Sequence, residues 1–233
     1  MLKGFLEKIE EMALASTWIE HEGRQFTGCE LTPIRDAEPE PLGLHTLAGI
    51  VEYAGDDPAE DGWFVHVPDY KSARLVGPLH GPEKQRDCLA AAEAYEVRHR
   101  FGAWMPLDEF VIYIQSGFVQ DETTAAILKV VGNVVQGAEA EYADDGVTQR
   151  VTARAGVTRR EIVDLPNPVT LRPFRTFPDI EQPESLFVLR IKQGKEGEQP
   201  SCALFEADGG GWRNQAVERI KAYFTEVGLR AIG

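Results

Sequence analysis

Five prolines, Pro166, Pro168, Pro173, Pro178 and Pro183, fall within eighteen residues of this chain. Proline fixes φ and has no N–H to give, so no helix crosses such a stretch and no central strand runs its length. Corners, edges and short strands are what remain. The segment "DLPNPVTLRPFRTFPDIEQPESLFVLRIKQG" (164–194) is therefore read as a sheet corner. "PVTLRPF" and "SLFVLRIKQG" are its strands, and Phe174 and Phe177 are expected to pack under it. Its arginines leave a binding surface or a catalytic loop as competing readings.

The residues just upstream change period. "GVTQRVTARAG" alternates strictly, with Val147, Gln149, Val151, Ala153 and Ala155 on one side and Thr148, Arg150, Thr152 and Arg154 on the other. That pattern predicts a half-buried strand with a Thr/Arg outer face, turned at Gly156 and paired with "TRREIVDL". "SCALFEAD" reads as a further strand. "GGGWRNQAVERIKAYFTEV" closes as an amphipathic helix, with Trp212, Ala216, Ile220, Tyr223, Phe224 and Val227 at helical spacing.

Before position 146 helices dominate. "MLKGFLEKIEEMALASTWIEHE" starts with Leu2, Phe5, Leu6, Ile9, Met12 and Ala13 on one helical stripe. A short strand is expected in "RQFTGCELTPIR" and a short helix in "LHTLAGIVEYAGD", ending at Gly55. "WFVHV" and "ARLVGPL" read as strands around the turn "PDYKS". "EKQRDCLAAAEAYEV" has the composition of a helix, with a strand as the alternative. Pro106 stands at a helix start, with Asp108 and Glu109 placed where the helix dipole favours them. Asp121 is the candidate N-cap of the next helix, "DETTAAILKVVGNVVQGA". The expected fold class is α+β: an N-terminal mixed region over 1–145, then a mostly antiparallel sheet with a C-terminal amphipathic helix over 146–233.

Charge narrows the function classes. A net −14 opposes broad coating of DNA or docking on anionic lipid, both of which need an excess of Lys and Arg. From Gly146 to Gln193, however, eight basic residues face five acidic ones, a local +3 that leaves −17 for the rest. Arg150, Arg154, Arg172 and Arg175 are the nucleic-acid or partner-binding candidates on that stretch. Three widely spaced cysteines form neither a CxxC pair nor a disulfide framework, which fits a reducing cytoplasm. No apolar run approaches a membrane span, and the glutamates of the first helix do not suit a signal-peptide core.

A search for catalytic or metal chemistry returns little. The five histidines make no HxH, HxxxH or HExxH, and no metal or other cofactor is expected. His66 and Asp69 invite a tuned imidazole, although a histidine satisfied within its strand is the simpler reading. "PDYKS" and "PDIEQ" each supply the Pro-Asp half of a Mg²⁺ nuclease motif without the acidic-x-Lys half. "GDDPAEDG" reads as a solvated acidic loop. "DGGGW" precedes a helix whose N-terminus could hold an anion, yet a plain turn capped by Asp208 explains it more simply.

"DDGVTQRVTARAG", "IVDLPNPVTLRPF", "SLFVLRIKQG" and the closing "WRNQAVERIKAYF" resemble the YfdQ-like family of temperate phage and prophage proteins, which has no assigned function. "WFVHVPDYKSARL" and "PLDEFVIYIQSGFVQ" extend the similarity to about residues 43–228, with a departure at "DGGGWR". The resemblance implies a gene in an early phage module near recombination functions, and it carries over no catalytic residue. Three functions are then open. One is a homo-oligomeric, non-enzymatic accessory protein that touches single-stranded nucleic acid. The second is an acidic inhibitor of a host nuclease or defence protein, and the third a self-assembling shell or ring.

Overall fold

The structure, a computed structural model, describes residues 2–15, 18–21, 24–27, 40–55, 62–81, 84–95, 97–135, 141–144, 149–155, 159–165, 167–192 and 199–233. The chain forms two compact units, Met1–Glu38 and Pro39–Gly233. The smaller holds helix α1 (Leu2–Ala15) and an antiparallel pair, β1 (Trp18–His21) with β2 (Arg24–Thr27). The amphipathic start is thus helical only to Ala15. Phe5, Leu6 and Ile9 of its apolar stripe are exposed.

The larger unit is α+β, built on two sheets, each covered by its own helix pair. The first sheet begins with β3 (Leu42–Leu44), β4 (Phe64–Asp69), β5 (Ser72–Val76) and β6 (Cys88–Glu93), and is completed by β14 (Ala231–Ile232) at the C-terminus. Its strand order is β14-β4-β5-β6-β3, with both outer pairs parallel and the middle antiparallel. Helix α2 (Leu47–Ala54) and the C-terminal α5 (Trp212–Glu226) supply Leu47, Ile50, Ile220 and Phe224 to a core closed by Val65, Val67, Ala73 and Leu75.

β6 corrects the helical reading of "EKQRDCLAAAEAYEV". Alanine has a high helix propensity, but here tertiary pairing overrides it. β5 and β3 bond to β6 on either side, and Ala90 and Ala92, two apart, both face the core. Their small side chains leave room for α2 to lie close.

The second sheet takes β7 (Met105–Pro106), β11 (Val169–Leu171), β12 (Ser185–Lys192) and β13 (Ser201–Glu206), ordered β11-β12-β13-β7 and antiparallel throughout. Helices α3 (Leu107–Gly117) and α4 (Glu122–Val135) cover it, burying Phe110, Ile114, Phe118, Ile127 and Val131 against Val169, Leu171, Phe187 and Leu189. α4 starts as its sequence predicts: Thr124 N–H donates to the Asp121 carboxylate at 3.0 Å. Residues on both sides of position 145 share both sheets, since β7 joins β13 and β14 joins β4. A separate antiparallel set contains β8 (Glu141–Asp144), β9 (Gln149–Ala155) and β10 (Arg159–Asp164), in the order β10-β9-β8. The alternating segment and its return are therefore paired, with Arg154 opposite Arg160 and Arg150 opposite Asp164.

The proline-rich stretch crosses from one core to the other. Val169 and Leu171 belong to the second-sheet core, whereas Phe177 is fully buried in the first-sheet core. Phe174, by contrast, stays 38% exposed, so only one of the two phenylalanines lies under the corner. Gln182 staples the crossing from within. Its side-chain oxygen accepts from the N–H groups of Arg175 (2.9 Å) and Thr176 (3.2 Å), and its nitrogen donates to the Phe177 carbonyl at 3.0 Å. Asp179 then caps α2 from far along the chain, accepting from Leu47 N–H at 3.2 Å and Ala48 N–H at 3.1 Å. Truncating the staple orphans two buried backbone donors, so Gln182→Ala is expected to lower stability by about 3 kcal/mol in urea unfolding. Glu184→Ala, a change at an exposed side chain of the same loop, should leave the midpoint where it is.

Candidate functional site

Between the two cores lies a cavity of about 200 Å³, assembled from five separate stretches of the larger unit. The β4–β5 turn contributes Tyr70 and Lys71, and the segment that joins β6 to β7 contributes Tyr95. His99 and Phe101 come from the loop before β7, and Arg175 comes from the proline-rich crossing. Glu206 ends β13, and Trp212 and Arg213 open α5.

Arg175 is the centre of the site. Its side chain is only 4% exposed. Nη1 donates to Glu206 Oε1 at 2.7 Å, a short charge-assisted bond. The guanidinium carbon lies 4.3 Å from the Trp212 ring centroid, 5.0 Å from Phe101 and 5.3 Å from Phe187, so three aromatic rings surround the charge. Burial pulls its pKa below the ordinary arginine value, while Glu206 and Asp208 push the other way. The charge stays on, since guanidinium does not deprotonate in proteins.

Two of its nitrogens, Nε and Nη2, are buried with no hydrogen-bond partner. They share one edge of the planar group, the edge that grips a carboxylate or phosphate with two parallel bonds. Trp212 Nε1 is a third buried donor without a partner. Native proteins satisfy most buried donors, so these three, closed off from the cavity, leave the junction under-satisfied rather than offering a ready grip for a ligand.

The glycine turn shapes this wall. Gly209 and Gly210 have φ of +63° and +81°, the left-handed region that glycine enters without strain. A Cβ on Gly210 would stand 2.8 Å from Arg213 Nη1, so a larger residue there would push the end of that flexible side chain aside. Asp208 does not cap α5, as its position suggests, but accepts from Gly210 N–H at 2.9 Å. No side chain caps α5, and its first turn carries no acidic residue. Arg213 lies 5.3 Å from the Trp212 ring centroid and 6.0 Å from that of Tyr70.

His99 has a structural role on the same wall. Nε2 donates to the Phe174 carbonyl at 2.9 Å, and Nδ1 accepts from the Tyr113 hydroxyl at 3.1 Å. Its ring stacks on Phe101 at 4.9 Å. Burial is the main cause of its lowered pKa, and burial pushes Tyr113 up to about 12. Both side chains are neutral near pH 7, and their bonds fix the wall behind Arg175.

The sequence candidates separate. Arg175 enters the cavity, but Arg172 does not line it: its guanidinium bonds to Asp121 (3.2 Å) and Glu181 (3.1 Å), tying the α4 cap to the crossing. Arg150 and Arg154 lie in β9, and their side chains fall outside the described residues, as does the acidic loop at 56–61. Tyr70, Tyr95, Trp212 and Arg213 carry no motif of their own. The one signal for them is the "DGGGW" turn, read as a plain turn yet opening onto the cavity. The acids of the two Pro-Asp pairs have structural partners: Asp179 caps α2, and Asp69 accepts from Lys71 N–H (2.8 Å) and the Ser72 hydroxyl (2.5 Å) rather than pairing with His66. Burial pushes the Cys202 thiol up to about 12, which leaves no nucleophile there. Among the described residues no group of three His, Cys, Asp or Glu stands ready for a metal, and no helix is long and apolar enough to cross a membrane.

No family model, curated protein or solved structure matches this chain.

The histidine wall makes stability depend on pH in a set direction. His99 binds its proton more readily unfolded, near pH 6.5, than folded. Its contribution is complete above pH 6.5 and is lost as pH falls from there toward the lower folded value. Thermal melts of wild type and His99→Gln at pH 7.5 and pH 5.5 should show the smaller acid-side drop in the variant. Parallel losses in the two proteins would contradict a neutral, buried His99.

Proposed function

We propose that this chain is a non-enzymatic binding protein of phage DNA metabolism, homo-oligomeric, whose cavity seats part of a single-stranded nucleic acid. The cavity itself, with Arg175 and Arg213 beside the rings of Tyr70, Tyr95, Phe101 and Trp212, carries this reading. Single-stranded nucleic acids are held by stacking on aromatic side chains and by cations on their phosphates, and both kinds of group converge here. The accessory role in phage DNA metabolism follows from the resemblance in the sequence.

Geometry also explains how an acidic protein would do this. A net −14 repels a long polyanion from most of the surface, while a concave cationic site of low dielectric attracts a short segment locally. The strand face bearing Arg150 and Arg154 would guide the remainder. Self-association would use the exposed Phe5, Leu6 and Ile9 of α1.

Fluorescence anisotropy with a labelled oligothymidylate tests the binding. Wild type should bind in a salt-sensitive manner, and Arg213→Ala should weaken it about ten-fold, the effect of one charged contact. No rise in anisotropy at low salt would remove the nucleic-acid reading. The net charge would then favour the second, an acidic inhibitor of a host nuclease. Light scattering reads the self-association. The native mass should exceed the 25.9 kDa of one chain and fall to it in a Phe5→Ser/Ile9→Ser variant.

A further inference from the structure

The first sheet carries a second cleft on the face turned away from its helices. Strand alternation directs Val65, Val67, Ala73 and Leu75 toward the core under α2 and α5. The same alternation sends Phe64 of β4 and Ile232 of β14, which pairs with His66, to the opposite face. There they line a cleft of about 300 Å³ with Pro78, Leu79, Arg86 and Arg230. We infer that this cleft binds a small anion with an aliphatic body, its charged head held by the two guanidinium groups.

Charge carries the argument. Arg86 and Arg230 are both exposed, and among the described residues neither has a carboxylate partner. Arg100, Arg172, Arg175 and Arg219 each have one. Asp87, next to Arg86 in the chain, turns instead to His80 at 3.2 Å. In a chain of net −14 such a pair is a local reversal of sign. An incoming anion meets both groups without first breaking an ion pair, and apolar walls around a cleft of one sign focus its field.

The cations are positioned by their own neighbours. Arg86 Nη1 donates to the Gly77 carbonyl at 2.8 Å, and its guanidinium carbon lies 5.1 Å from the Phe64 ring centroid. The backbone of Arg230 is fixed as well, since its carbonyl accepts from Val65 N–H at 2.8 Å. Planar forks of this kind suit the oxygens of a carboxylate or phosphate.

The remaining walls decide the body of the ligand. Leu79 is 53% exposed and Ile232 40%, and Pro78 and Phe64 continue the apolar surface. Apart from the two guanidinium groups, no lining side chain carries a hydrogen-bonding atom. A sugar or a base would lose water here and gain no partner, whereas an aliphatic chain gains by burial. At about 30 Å³ per water-sized group, the cleft accommodates roughly ten non-hydrogen atoms, the size of octanoate. A free aliphatic carboxylate and an alkyl phosphate share this chemistry.

Calorimetric titration of the full-length protein tests the site with octanoate, octyl phosphate and octylamine, a cation with the same chain. At least one of the two anions is expected to bind, the tighter of them identifying the head group, and octylamine is expected not to. Arg230→Ala removes a side chain that has no hydrogen bond or ion pair among the described residues, and it should weaken the anion about ten-fold, the effect of one charged contact. Leu79→Ser should weaken the same ligand through the lost apolar wall. Both changes fall at exposed positions, so the thermal midpoints of the variants should match wild type. Absence of binding by both anions would overturn the inference. So would octylamine binding as tightly as the anions, or an affinity unchanged in Arg230→Ala. None of these results bears on the nucleic-acid reading, whose cavity shares no lining residue with this cleft.

Discussion

A buried guanidinium must be held from several sides, and in this protein that requirement ties distant segments together. Arg175 stands where the two helix-covered sheets meet, so its surroundings come from both: Glu206 and Phe187 from one, and Trp212 from the helix that covers the other. Desolvating such a charge is expensive without compensation. The carboxylate meets one edge of it, and the aromatic faces meet its planes. Gln182 fixes the backbone that carries it, and Thr176 donates to the Tyr70 carbonyl one residue further on. The opposite edge is left without an acceptor.

The prolines make that placement stiff. A chain crossing between two cores gains no regular ladder on the way, so its backbone groups need individual partners. Val119 N–H donates to the Arg172 carbonyl and Phe174 N–H to the Gly117 carbonyl, which ties the entry of the crossing to the α3–α4 connection. Arg219 of α5 donates to the Glu181 and Gln182 carbonyls, which ties its exit to the other core. Prolines remove N–H groups that would otherwise need satisfying here, and they narrow the unfolded ensemble. The corner anticipated from the sequence is thus also the strut that presents Arg175.

Local rules made much of the fold legible. Helix α4 begins at a residue whose carboxylate caps it, β4 and β5 alternate around an Asp-anchored turn, and α5 shows its buried stripe in spacing alone. The β6 segment shows where such rules stop. "CLAAAE" is helical by propensity, and only its position between β5 and β3 makes it a strand. Asp208 shows the same limit at smaller scale: its place before a helix suggested a cap, yet it bonds within the glycine turn. The candidate site was the least legible part, because its residues come from five stretches of chain and no spacing along the sequence encodes their meeting. Arg172 and Arg175 are three positions apart and share a composition signal. One became a surface clamp between Asp121 and Glu181, and the other a buried centre.

That divergence bears on how a charge pattern is read. A local +3 suggested an extended basic face, in which each arginine would add a similar increment of attraction. Arg172 adds little of that kind, since two carboxylates already hold its guanidinium. Arg175 adds a different quantity, a charge held in a dry site by Glu206 and three aromatic rings. On the function proposed, the overall acidity would sharpen selection, since a long anion is repelled by the surroundings that a short one avoids. In a chain of net −14, any recognition of anions would therefore be concave, local and built on few residues, and the wall of Arg175, Trp212 and Arg213 has that form.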